Sequence, residues 1–101
     1  MTNEQKKLIA GYMGWKKAYL SNGYHNILYN RPVVFDLNDA GLVVKEMLKR
    51  GDWDEFFYFV WNGYRKAEKL LYKEVDEAKF TALLFNADNF FKAFVEWRKG
   101  K

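Results

Sequence analysis

The sequence has no cysteine, one proline and one histidine in 101 residues. Without cysteine there is no disulfide scaffold, no thiolate zinc site and no thiol nucleophile, so a reducing compartment is allowed. The single histidine, His25, has no partner set with which to build a Ser-His-Asp or Cys-His arrangement, and it reads as a surface-loop residue behind a Gly-Tyr turn. The seven glycines are scattered and none forms a Gly-rich run ahead of a helix, which excludes the usual phosphate-binding loop. Asp36 and Asp39 are near-paired carboxylates in a loop setting, yet a metal or an acid/base pair would want more oxygen ligands, and helix capping explains both. No stretch approaches the roughly 18 consecutive apolar residues of a membrane span, and the polar start reads as an amphipathic helix rather than a leader. The expectation is a cytoplasmic protein that is not an enzyme and uses no cofactor, metal or membrane.

What the chain does have is rings. Nine Phe, seven Tyr and four Trp make one residue in five aromatic. A domain this small hides only about two-thirds of its unfolded surface, and each ring brings roughly 150–250 Å² to be covered, so some rings are expected at the surface. Seventeen basic against thirteen acidic residues give a net charge of +4. The charge is segregated: Arg65, Lys66, Lys69 and Lys73 are followed by Glu74, Asp76 and Glu77, a pattern that can steer a charged partner to one face.

Length and composition fit one globular domain over 1–101. Thr2 and Gln5 form a capping-box signature for a first helix with Leu8, Ile9, Tyr12 and Met13 on one face, stopped by Gly14. Ser21-Asn22-Gly23 reads as a turn, and the β-branched residues around Pro32 suggest a short edge or interrupted strand over 27–35. Asn38 or Asp39 can cap a second helix whose stripe is Leu42, Val43 and Met47, closed by Gly51. The run 52–64 reads as helix from Asp52 and Glu55, with a hairpin turning at Asn62-Gly63 as the alternative. Residues 80–85 read as a buried strand or as the opening turns of a helix running to Lys99; the strand is preferred because Asn86 suits the cap of a final helix with Ala87, Phe90, Phe91, Phe94 and Val95 on its apolar face. The fold class is therefore α+β, a small single domain with helices flanking a short sheet; the alternative is an all-α helical bundle.

Three segments together carry a resemblance. Leu8-Ile9-Ala10-Gly11-Tyr12-Met13-Gly14-Trp15-Lys16, Asp36-Leu37-Asn38-Asp39-Ala40 with Val44, Glu46 and Met47, and Leu84 to Trp97 resemble, in order, the opening, middle-helix and closing-helix motifs of the phage ABA-sandwich family. The resemblance covers roughly 40 positions and leaves out 53–75. It implies helices flanking a small sheet and a phage or prophage source, and it carries over no catalytic or ligand residue.

Interfaces favour aromatic side chains at their centres. Taken with the phage or prophage source that the resemblance implies, the expected function is a non-enzymatic, phage- or prophage-encoded interaction protein that binds a host protein or ribonucleoprotein stoichiometrically, as an anti-CRISPR-like inhibitor of an RNA-guided nuclease would. The alternatives are a small basic nucleic-acid-binding protein or a structural accessory phage protein. Trp61 and Tyr64 flank Asn62-Gly63 and lie beside Arg65, Lys66, Lys69 and Lys73, which makes these six the first partner-binding candidates. Trp15, Lys16 and Lys17 are the second group, because aromatic and basic residues interleave there with Tyr12, Tyr19 and Tyr24 as in a single-strand groove.

Overall fold

The first helix begins where the sequence closes a reciprocal cap. Thr2 Oγ1 accepts from the Gln5 amide at 3.2 Å, and Gln5 Oε1 accepts from the Thr2 amide at 2.8 Å. In the computed structural model, which describes residues 1–18, 23–28, 31–67 and 84–100, this box starts α1 (Asn3–Met13). Gly14 ends α1 at φ 73°, a left-handed conformation that glycine adopts without strain.

Three short antiparallel strands follow, β1 (Lys16–Lys17), β2 (Tyr24–Asn26) and β3 (Arg31–Val33), in the order β1-β2-β3. Lys16 pairs with His25, and His25 with Pro32, so Pro32 sits on an edge strand where its missing N–H costs no ladder bond. The strand expected over 27–35 is therefore shorter: Ile27 and Leu28 form a turn, and only Arg31–Val33 is extended. His25 is half-buried in the central strand and not on a surface loop.

Asp36, not Asn38 or Asp39, caps α2 (Leu37–Arg50), its Oδ1 accepting from the Asp39 amide at 2.9 Å. That donated bond is the main reason its carboxyl stays below the usual range. Asp39 turns inward instead. It is fully buried, where it accepts from Arg31 Nη2 and from the backbone amides of Val34 and Phe35, each at 2.9 Å. Gly51, at φ 78°, closes α2.

The run after Gly51 is helical as read, forming α3 (Trp53–Ala67) with Asn62-Gly63 inside it. A helix is favoured because Trp53, Phe56 and Val60 recur at helical spacing and pack on one core. Asn86 Oδ1 accepts from the Asn89 amide at 3.2 Å and caps α4 (Ala87–Lys99). Leu84 and Phe85, the described part of the expected 80–85 strand, are not extended: Leu84 is helical and Phe85 lies in a turn leading to that cap. The remainder of that segment lies outside the described residues, as do Lys69, Lys73 and the acidic run behind them.

α4 touches α1, α2 and α3, which is why it buries five large side chains, Phe90, Phe91, Phe94, Val95 and Trp97. Phe56 of α3 is the hub, with ring centroids at 5.6 Å from Phe90, 6.3 Å from Phe94 and 5.7 Å from Trp97. Val43 and Met47 of α2 close the same core, as the two apolar stripes predict, while Leu42 is only half-buried. On the sheet side, Phe35 sits edge-on to Trp15 at 6.1 Å and to Phe91 at 5.4 Å. The chain is thus a small α+β domain, four helices with a three-stranded antiparallel sheet among the described residues. No helix among these residues is long and apolar enough to cross a membrane.

Candidate functional site

α3 carries more rings than its inward face can bury. Phe56 is fully buried, but the next three residues are not, and Phe57, Tyr58 and Phe59 are 36%, 63% and 44% exposed. Phe57 is held in place from both sides along the helix. Its ring stacks on Trp61 one turn later at 6.0 Å and 29°, and meets Trp53 one turn earlier at 5.9 Å. This row borders an apolar groove of about 350 Å³, with Leu37, Gly41 and Val44 of α2 as the facing wall, Phe90 within the lining and Phe85, 66% exposed, alongside.

The six first candidates separate. Trp61, half-buried, belongs to the ring row through Phe57. Tyr64 is half-buried and follows Val60 one turn on in α3. Arg65 Nη2 donates to Asn62 Oδ1 at 3.5 Å, and Lys66 is exposed on the last turn. Lys69 and Lys73 lie outside the described residues.

The second group separates differently. Trp15 is 7% exposed and Tyr12 4%, so both rings are core and neither offers a face for base stacking. Lys16 and Lys17 are exposed on the edge strand β1. Tyr24 is half-buried, and Tyr19 lies outside the described residues.

Tyr12 instead ties α1 to the three other helices. Its Oη donates to Asp52 Oδ2 at 2.8 Å, its carbonyl accepts from Arg50 Nη2 at 2.6 Å, and the guanidinium carbons of Arg50 and Arg98 lie 4.1 and 5.0 Å from its ring centroid. Burial first, and the Asp52 acceptor second, push the phenol up to about 12. A phenol so raised is a neutral donor in the physiological range. It links α1 to the start of α3 and, through Arg98, to α4.

The sequence reading passed over a second concave surface, a cleft of about 660 Å³ between the β2–β3 turn and α2. Its one local signal was the aliphatic pair Ile27 and Leu28, which are 62% and 85% exposed in the turn. Among the described residues, no group of three or more His, Asp or Glu is placed to hold a metal ion. Comparison with protein-family models, with curated proteins and with solved structures finds no match to this chain.

Proposed function

We propose that this chain is a non-enzymatic interaction protein that binds a protein partner stoichiometrically through the α2–α3 groove. The observation that carries this reading is Phe57, 36% exposed, held between Trp53 and Trp61 and lining an apolar groove that also presents the 66% exposed Phe85. Stacked rings lose little further freedom on binding, and rigid aromatic side chains in an apolar groove are what interface centres are made of. The resemblance to phage ABA-sandwich proteins supports a phage or prophage source, and with it an inhibitor of a host defence system such as an RNA-guided nuclease, acting in the host cytoplasm. Direct nucleic-acid binding draws less support, because Tyr12 and Trp15, the rings just ahead of Lys16 and Lys17, are buried.

The test is affinity purification of the tagged protein from its host, with and without nuclease treatment, followed by mass spectrometry. A partner that is retained after nuclease by the parent chain and lost from Phe57→Ser, with the mass of that partner unchanged, is the expected result. Loss of every partner on nuclease treatment, or retention that ignores both Phe57→Ser and Phe85→Ser, overturns it.

A further inference from the structure

The cleft on the other side of α2 differs from the groove in chemistry. Its floor is Trp15, with Met13 and Leu42 half-buried beside it, and its outer lip is Ile27 and Leu28, an aliphatic pair held out in solvent by the β2–β3 turn. Its opposite wall is cationic. Lys45 and Lys49 stand one helical turn apart on α2, both exposed, and the acid between them, Glu46, is already engaged by Arg50 Nε at 2.8 Å. Two more exposed lysines, Lys16 and Lys17, follow cleft-lining Trp15 directly along the chain.

We infer that this cleft binds an acidic segment of a protein partner, a short stretch in which carboxylates alternate with aliphatic side chains. The inference rests on the reading that the partner is a protein. The aliphatic side chains of such a segment cover Ile27 and Leu28, which otherwise stay in water, and the half-buried Leu42, and its carboxylates meet Lys45 and Lys49. Charge complementarity of this kind sets orientation and speeds encounter. A nucleic acid would satisfy the lysines equally well, but it needs flat exposed rings on which bases stack. The ring in this cleft is Trp15, only 7% exposed, and the exposed lip is aliphatic.

Backbone amide spectra of the labelled full chain, titrated with three probes, decide the matter. The probes are a short synthetic peptide interleaving leucine with aspartate, the same peptide with lysine for aspartate, and oligothymidylate. The aspartate peptide is expected to shift the amides of Ile27, Leu28, Leu42, Lys45 and Lys49, and the lysine peptide is expected to leave them in place. Because Lys45, Lys49 and Leu28 are exposed, their variants keep the fold; Lys45→Glu with Lys49→Glu, and separately Leu28→Ser, should each weaken the aspartate peptide by about tenfold or more, equivalent to about 1.4 kcal/mol. Phe57→Ser lies across α2 and should leave this titration unchanged, so failure here leaves the groove reading standing and failure of the groove leaves this one. No shift at the cleft, equal binding of the lysine peptide, indifference to the lysine reversals, or preferential binding of oligothymidylate there would each overturn the inference.

Discussion

Asp39 Oδ2 accepts the backbone amide of Phe35 at 2.9 Å and holds that residue at φ 57°, in a left-handed conformation that non-glycine residues seldom adopt. The same oxygen takes the Val34 amide, and Oδ1 takes Arg31. One carboxylate therefore turns the chain from β3 into α2 and aims the Phe35 ring at Trp15 and Phe91. Such a conformation costs on the order of 1–3 kcal/mol and persists only where its surroundings enforce it.

Asp39→Ala should consequently be among the most damaging substitutions in the chain. It leaves two amides and a half-buried guanidinium without their acceptor, at a cost of about 3 kcal/mol or more. Asp39→Asn, which keeps one acceptor oxygen, should fall between. Urea unfolding followed by circular dichroism measures both, and an Asp39→Ala midpoint equal to that of the parent would refute the assignment.

Position 35 should invert the usual order of small residues. Alanine normally outranks glycine, yet at a positive φ the Cβ is the liability, so Phe35→Gly should be more stable than Phe35→Ala by about 1 kcal/mol, although both lose the ring. Thermal melts of the two variants side by side give the sign directly.

Tyr12 predicts the alkaline behaviour. Folded Tyr12 keeps its proton up to about 12, whereas an unperturbed phenol ionises at 10.0. The stability contributed by the neutral phenol is complete below pH 10 and is lost as pH rises through 12. Tyr12→Phe should cost about 1–2 kcal/mol near neutrality, through the lost bond to Asp52, and should flatten the decline between those two values. Denaturation curves at neutral and alkaline pH compare the slopes; a parallel decline in both proteins would assign the loss to other groups.

Gly63 distinguishes the two readings of α3. Inside a helix with open space around its Cβ position, Gly63→Ala should stabilise by about 1 kcal/mol. In a hairpin turn at Asn62-Gly63 the same change would destabilise, because such a turn needs a positive φ. The direction of the shift in melting temperature is the readout.

What the sequence disclosed was local. Thr2, Gly14, Gly51 and Asn86 act on backbone groups within a few residues of themselves, and each sits where its side chain, or lack of one, implied. The apolar stripes of α2 and α4 were legible for the same reason, since helical spacing alone brings Val43 to Met47 and Phe90 to Phe94. β1 and β2 were not legible: two lysines and a Tyr-His-Asn triplet show no alternation, and they are strands because β3 and each other complete their ladders. Asp39 reads as a cap because, in a sequence, a carboxylate at the start of a helix looks the same whether it faces the helix amides or the chain before it. The cleft is not legible in the sequence because its walls come from residues on either side of β3 that only the fold brings together.

The clustering of rings around Phe56 also gives the molecule its own optical gauge. Trp53 and Trp97 each lie within 6 Å of that one ring, at 5.8 and 5.7 Å, with interplanar angles of 46° and 74°. Indole transitions held at fixed angles to neighbouring rings generate near-ultraviolet dichroism that disappears once tertiary packing loosens, even while the helices persist. Any variant of this chain can therefore be sorted without a label into one that has lost its packing and one that has lost only a surface contact.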